Sequence, residues 1–297
     1  TVGPGADWDA YPDEVLESAD AVLIRLEKCP ESFIARCKNL KALGRPGMGF
    51  ENVPVDYCTR RGIPVVLAPG ANARSVAEHA LALIFACAKD LVEMDGENRK
   101  GNWQVRAHGR QMELCGKKVG ILGVGGIGSL LAGMCTALGM ECLGYSHSHN
   151  RARVEAAGCW YVDSLEEILK ESDFVSLHMP LLPETYHCIG ARELGLMKQS
   201  AFLINTARGA VVDEQALADA VNQGVIAGAG VDVYSTEPAR RDNPVFTAPG
   251  IICTPHSAAL TPESWARMSC GAVEGCYAVC RGEKWQGVAN PEVYETL

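Results

Sequence analysis

The chain has 297 residues, 47% hydrophobic and 21% charged, with a formal net charge of −9. That length favours two cores over one, and the composition is that of a globular protein rather than a disordered one. The acidic balance, with no run of Lys or Arg longer than two, argues against nucleic acid as a partner, because phosphate contacts need a basic patch.

Short apolar runs alternate with helical patterns from one end of the chain to the other. This order predicts α/β architecture, with parallel sheets covered by helices. In the first third, residues 21–24, 40–43 and 63–67 read as strands, and Pro30 and Pro54 suit helix starts. Ser75-Val-Ala-Glu78 has the form of a capping box opening a long apolar helix to about Val92. The polar stretch 93–104, with Gly96 and Gly101, reads as a connector. A strand at 118–122 then leads into Gly123-x-Gly125-x-x-Gly128 and a helix from Ile127 that stops at Gly139. Strands follow at 142–145, 174–177, 201–205, 227–233 and 251–254. Ser164-Leu-Glu-Glu167 reads as a second capping box, Asp213 as the cap of a helix ending at Gly224, and Thr261-Pro262-Glu263 as the start of the last long helix.

The apolar stretch at 80–88 is too short to cross a bilayer, so no membrane partner is expected. Cysteine is abundant, at 13 residues, yet no C-x-x-C pair occurs, and Cys270, Cys276 and Cys280 have helical rather than metal-ligand spacing. Free thiols, no metal site and a reducing, cytoplasmic location are the expectation.

The glycine pattern gains meaning from its context, between a strand and a helix. Gly123 permits a tight turn, Gly125 lets backbone approach a pyrophosphate, and Gly128 lets the helix pack on the strand. The amides of Gly126 and Ile127 would face the pyrophosphate at the helix N-terminus. After the next strand the chain reads Gly144-Tyr-Ser146-His147-Ser-His-Asn-Arg151. No acid stands there to hold the ribose hydroxyls and repel a 2′-phosphate, so the reading is NADP or NAD, with NADP favoured. Ser146 and His147 are the candidate contacts.

Further on, Arg208, Glu237 and His256 each follow a short apolar run. A cation, a carboxylate and an imidazole downstream of a dinucleotide turn suit hydride transfer. The cation would hold an anionic substrate, the imidazole would move the proton, and the carboxylate would keep the imidazole protonated. Each of them alone would read as an ordinary surface residue.

The combination resembles the D-2-hydroxyacid dehydrogenase family, whose relatives include glyoxylate/hydroxypyruvate reductases and phosphoglycerate dehydrogenases. The resemblance runs from about Leu40 to Val293. It rests on Gly47-Met-Gly49 with Asn52, Asn72-Ala-Arg-Ser-Val-Ala-Glu-His79, the glycine turn, His178-Met-Pro-Leu181, Asn205-Thr-Ala-Arg-Gly209, Gly230-Val-Asp-Val233 with Glu237-Pro238, and Pro255-His256. It implies two Rossmann-like or flavodoxin-like domains with the active site in the cleft between them. The substrate domain would be 1–88 completed by 264–297, and the dinucleotide domain 89–263. It implies an NAD(P)-dependent D-2-hydroxyacid dehydrogenase that interconverts a small 2-oxo acid and its D-2-hydroxy acid, and a homodimer. Arg208 then resembles the family's carboxylate-binding arginine, His256 its acid/base and Glu237 the partner that orients His256. Relatives that oxidise formate would carry Gln in place of Glu237.

Met48 and Gly49 resemble further substrate contacts, and His178, Pro180, Thr206, Ala207, Asp232 and Ala258 resemble cofactor contacts. Arg45 and Arg74 are weighed as a second anion contact. The rival reading is a dinucleotide-sensing binding protein, corepressor-like, on the same scaffold. The chain departs from many relatives at Gly126, where they carry Arg or Lys, and at Ser257-Ala-Ala259. The opening strand and helix usual in the family are not evident in 1–20, which predicts missing upstream residues.

Overall fold

The structure, a computed structural model, describes residues 7–25 and 27–295. It divides into two compact units, Thr1–Asn72 with Thr261–Leu297, and Ala73–Leu260. In the first unit the chain runs α1 (Asp13–Glu17), β1 (Ala21–Leu23), α2 (Glu31–Arg36), β2 (Ala42–Arg45), α3 (Val55–Arg60) and β3 (Val65–Leu67). In the second it runs α4 (Ala73–Ala88), α5 (Leu91–Arg99), β4 (Lys118–Leu122), α6 (Gly126–Ala137), β5 (Glu141–Tyr145), α7 (Arg151–Ala156), β6 (Trp160–Tyr161), α8 (Leu165–Glu171), β7 (Phe174–Leu177), α9 (Ala191–Leu194), β8 (Phe202–Asn205), α10 (Glu214–Asn222), β9 (Gly228–Val231) and β10 (Ile251–Cys253). The final helix, α11 (Pro262–Cys280), belongs to the first unit.

The first unit is a three-stranded parallel sheet in the order β1-β2-β3. Phe33, Ile34, Leu43 and Val65 belong to one buried cluster, and Ala42, Val66 and Cys276 form a second. The α11 helix packs on all three strands and starts at Thr261, whose hydroxyl accepts from the Ser264 amide. Within this unit the Arg45 guanidinium donates to Asn52 Oδ1 at 3.2 Å, and Asn52 Nδ2 donates to the Glu27 carbonyl at 2.9 Å. Arg45 therefore braces its own loop.

The second unit is a seven-stranded sheet in the order β10-β9-β8-β7-β4-β5-β6, with every pairing parallel. Side chains alternate across it with a period of two. Val119, Ile121, Phe174 and Ile204 bury on one face with α4 and α6. Leu122, Val175, Leu177 and Leu203 bury on the other, with α8, α9 and α10. A strand buried on both faces must read as a continuous apolar run, which is how β4, β7 and β8 appear in the sequence. Truncating the fully buried Ile121 to Ala would cost roughly 2–5 kcal/mol.

Several expectations are corrected here. Residues 73–88 group with the second unit, because Ala77, Ala80, Leu83, Ile84 and Cys87 of α4 pack in its core. The first unit therefore ends at Asn72 rather than 88, and the chain rejoins it at Thr261 rather than 264. Ser75 is not a cap: α4 begins at Ala73, and Ser75 is buried inside it. The stretch 93–104 is not a plain connector. The left-handed Asp90 (φ 54°) ends α4 and turns the chain into α5, which Asp95–Arg99 and Glu97–Lys100 pairs support. The two-residue β6 carries no periodicity and was not predicted.

Candidate functional site

The order of strands in the second unit reverses between β4 and β7, since the chain moves outward through β5 and β6 and then returns. Ligands of open parallel sheets bind at such a switch point, outside the carboxyl ends of the strands. Nearly all the residues singled out in this unit lie there. Gly123, Gly125, Gly126, Ile127 and Gly128 follow β4. Ser146 and His147 follow β5, His178 and Pro180 follow β7, and Thr206, Ala207 and Arg208 follow β8. Asp232 and Glu237 follow β9, and His256 and Ala258 follow β10. Strands in parallel register put these six strand ends along one edge.

The glycine turn sits hard against the strand across the switch point. A Cβ on Gly123 would lie 2.7 Å from the His178 carbonyl oxygen, and its φ of +97° suits only glycine. A Cβ on Gly125 would meet only Arg153, at 3.8 Å, so the outer side of the turn is open to a ligand. His178 is neutral at pH 7, because burial pushes its pKa down to about 4; its Nε2 lies 2.9 Å from Ser176 Oγ. Beyond β8, the Asn205 side chain clasps the turn, accepting from the Ala207 amide at 3.1 Å and donating to the Arg208 carbonyl at 3.0 Å. The Thr206 hydroxyl is buried with no hydrogen-bond partner among the described residues.

Glu237 is aimed by its own loop. Its Oε1 accepts from the Tyr234 amide at 3.0 Å, while the Tyr234 hydroxyl donates to the Thr254 carbonyl at 2.9 Å. Its Oε2 lies 2.6 Å from His256 Nδ1. Burial alone would raise the Glu237 pKa, but hydrogen bonds from His256 and the Tyr234 amide outweigh it and leave the carboxyl below its usual range. The same hydrogen bond, donated to Glu237, holds the His256 pKa above normal against an opposing effect of burial. The Arg208 charge lowers both.

His256 has φ of +49°, one of four non-glycine residues with positive φ among the described residues. Such backbone costs on the order of 1 kcal/mol and needs support from its surroundings. Asp232 supplies it. Its carbonyl accepts from the His256 amide at 2.7 Å, and its fully buried carboxylate accepts from the Ser257 and Ala258 amides, each at 2.9 Å. Thr254 Oγ1 donates to the same carboxylate at 2.5 Å, and His79 Nε2 lies 3.0 Å from that hydroxyl.

Residues 81–258 match the D-isomer specific 2-hydroxyacid dehydrogenase, NAD binding domain. The chain is 37% identical to a glyoxylate reductase of Korarchaeum cryptofilum over 97% of this chain and 90% of that protein. It is 36% identical to a D-3-phosphoglycerate dehydrogenase of Methanocaldococcus jannaschii over 93% of this chain, spanning about half (53%) of that longer relative. A solved structure of D-lactate dehydrogenase from Aquifex aeolicus, complexed with NAD and lactic acid, superposes with a TM-score of 0.80 at 33% identity, covering 93% of this chain and 87% of that one.

The chain belongs to the D-isomer specific 2-hydroxyacid dehydrogenase family.

Within that family the second unit is the nicotinamide-dinucleotide-binding domain. The residues present fit such a ligand: an open glycine turn, a neutral His178 and the unpartnered Thr206 hydroxyl line its edge. No group of three or more His, Cys, Asp or Glu among the described residues is arranged to hold a metal ion. No helix among them is long and apolar enough to cross a membrane. Sequence reading gave no role to Asn205, Tyr234 or His79: Asn205 clasps its own turn through its side chain, while Tyr234 and His79 reach Thr254 through contacts with no local pattern. Arg74 is paired with Glu78 at 2.6 Å on its own helix, and Met48 and Gly49 lie in the first unit, where Gly47 beside them has φ of +112°.

Proposed function

We propose that the protein reduces a small 2-oxo acid to its D-2-hydroxy acid, and runs the reverse reaction, with NADP or NAD. The observation that carries this reading is the 2.6 Å pairing of Glu237 with His256 on the same strand-end edge as Arg208 and the glycine turn. A bound reduced nicotinamide supplies the hydride to the carbonyl carbon. Arg208 holds the substrate carboxylate through its planar fork of donors. His256 keeps Nδ1 on Glu237, and its Nε2, which has no partner among the described residues, gives a proton to the carbonyl oxygen. In the reverse direction the same nitrogen takes the hydroxyl proton. Glu237 stabilises the imidazolium before the proton leaves. Thr206 and Asp232, whose carboxylate retains acceptor capacity, are assigned to the nicotinamide end, and Gly125, Gly126 and Ile127 to the pyrophosphate.

NADP is the favoured form, because Ser146 and His147 stand where an acid would exclude a 2′-phosphate. The roles of Met48 and Gly49 as substrate contacts and a homodimeric assembly rest on the sequence resemblance, and a cytoplasmic location on the free-thiol reading of the cysteines. The test is nicotinamide absorbance with glyoxylate, hydroxypyruvate, pyruvate and longer 2-oxo acids, each with NADPH and NADH. Oxidation of NADPH by one of them supports the reading. Tight dinucleotide binding with no turnover across the panel points instead to a sensor.

A further inference from the structure

Four residues could bring positive charge to the end of β5: His147, His149, Arg151 and Arg153. The structure separates them. Arg151 is committed to Glu155, at 2.7 Å, and its guanidinium also stacks over Tyr161. His149 is committed to Asp163, at 2.8 Å, and Tyr161 donates to the same carboxylate at 2.6 Å. Glu155 and Asp163 are thus each engaged by a neighbour. Arg153 differs from Arg151 in both respects. It forms no ion pair or hydrogen bond through its side chain among the described residues, and its Nη2 lies 3.8 Å from the point where a Cβ on Gly125 would stand. Its guanidinium therefore reaches from α7 back toward the glycine turn. On the loop after β5, the Ser146 and Ser148 hydroxyls lie 3.0 Å apart.

We propose that Arg153, rather than Arg151, is the cation that binds the 2′-phosphate of NADP and sets the choice between NADP and NAD. The proposal rests on the dinucleotide reading given above. The element that carries Arg153 follows the strand whose end faces the adenosine ribose, which is where an arginine accommodates a 2′-phosphate. A guanidinium with no acid to satisfy it offers its full set of donors to a dianionic phosphate, whereas Arg151 must first give up its contact with Glu155. The other anion within reach is the pyrophosphate, which NAD and NADP share, so the two sources are separable by experiment.

The experiment is calorimetric titration of NADP+, NAD+ and the fragment 2′,5′-ADP into wild type, Arg153→Gln and Arg151→Gln, with thermal melting to show that each variant folds. Arg153→Gln is expected to weaken NADP+ and 2′,5′-ADP by at least about tenfold, the scale of one lost charge-assisted contact, and to leave NAD+ within about twofold. Arg151→Gln is expected to leave all three near wild type. Equal weakening of NAD+ and NADP+ in Arg153→Gln would place the side chain on the pyrophosphate and overturn the proposal. So would unchanged binding of both, or a larger loss in Arg151→Gln. Wild-type protein that binds NAD+ but not NADP+ overturns the proposal alone, and wild-type protein that binds neither overturns the dinucleotide reading as well.

Discussion

The Oε2 atom of Glu237 lies 2.6 Å from Nδ1 of His256, and the pairing pulls the two pKa values apart. Glu237 stays ionised at neutral pH while His256 binds its proton more tightly than a free imidazole. With His256 as the proposed proton donor, reduction needs the protonated form, and its rate is expected to fall as pH rises through the raised pKa. Glu237→Gln keeps a hydrogen-bonding group but removes the charge. The His256 pKa then drops, and the decline in reduction moves to lower pH than in wild type. A pH–rate profile of kcat/KM checks this, and an unmoved profile contradicts the pairing.

Arg208→Lys replaces a planar fork with a point charge. We expect kcat/KM for the 2-oxo acid to fall roughly 10- to 100-fold, the range of one or two charge-assisted hydrogen bonds, while dinucleotide affinity stays near wild type. Steady-state kinetics together with a nucleotide titration measure both. A loss confined to nucleotide binding would remove Arg208 from the substrate.

Gly209 joins the Arg208 turn to the Glu237 loop. A Cβ there would stand 1.9 Å from the Tyr234 carbonyl carbon and 2.2 Å from the Ser235 amide nitrogen, inside the backbone that leads to Glu237. Gly209→Ala must push the Arg208 turn away from the Glu237 loop. Overpacking of this kind costs about 1–3 kcal/mol or more, so we expect a lower melting temperature and an activity loss larger than unfolding explains. A variant with wild-type melting and turnover contradicts the close approach.

The thiols give a test of the cores. Burial pushes the pKa of Cys87, Cys276 and Cys29 up to about 12 and that of Cys58 to about 11, whereas Cys115 and Cys270 are exposed. Brief alkylation of the native protein at pH 8, followed by peptide mass spectrometry, should label Cys115 and Cys270 first. Early labelling of Cys87 would contradict the packing of α4.

The parts legible in the sequence are those with a local signature. The runs at β4 and β7 are continuous because both faces of those strands are buried, and their ends coincide with the predicted ones. Ser164 and Asp213 cap helices, Ser164 accepting from the Glu167 amide and Asp213 from the Gln215 and Ala216 amides. Ser75 deceived because a capping box is only a pattern of residue types. At Ser75 the tertiary packing of α4 starts the helix two residues earlier and buries the serine. The polar composition of α5 hides a helix because its support comes from ion pairs rather than an apolar stripe. In the site, Arg208, Glu237 and His256 stand out by motif. Most of the contacts that set them in place join residues far apart in sequence: Gly209 against Tyr234, and His79 with Thr254 and Asp232 beneath His256. Nothing in a linear pattern marks those.

The most direct test of the account is the turnover of His256→Ala, measured beside wild type with the best 2-oxo acid of the panel and with dinucleotide affinity measured on the same samples. The account predicts a fall in kcat of about 10²- to 10⁴-fold, the usual cost of losing an acid/base, with nucleotide binding unchanged. Wild-type turnover in the variant would contradict it.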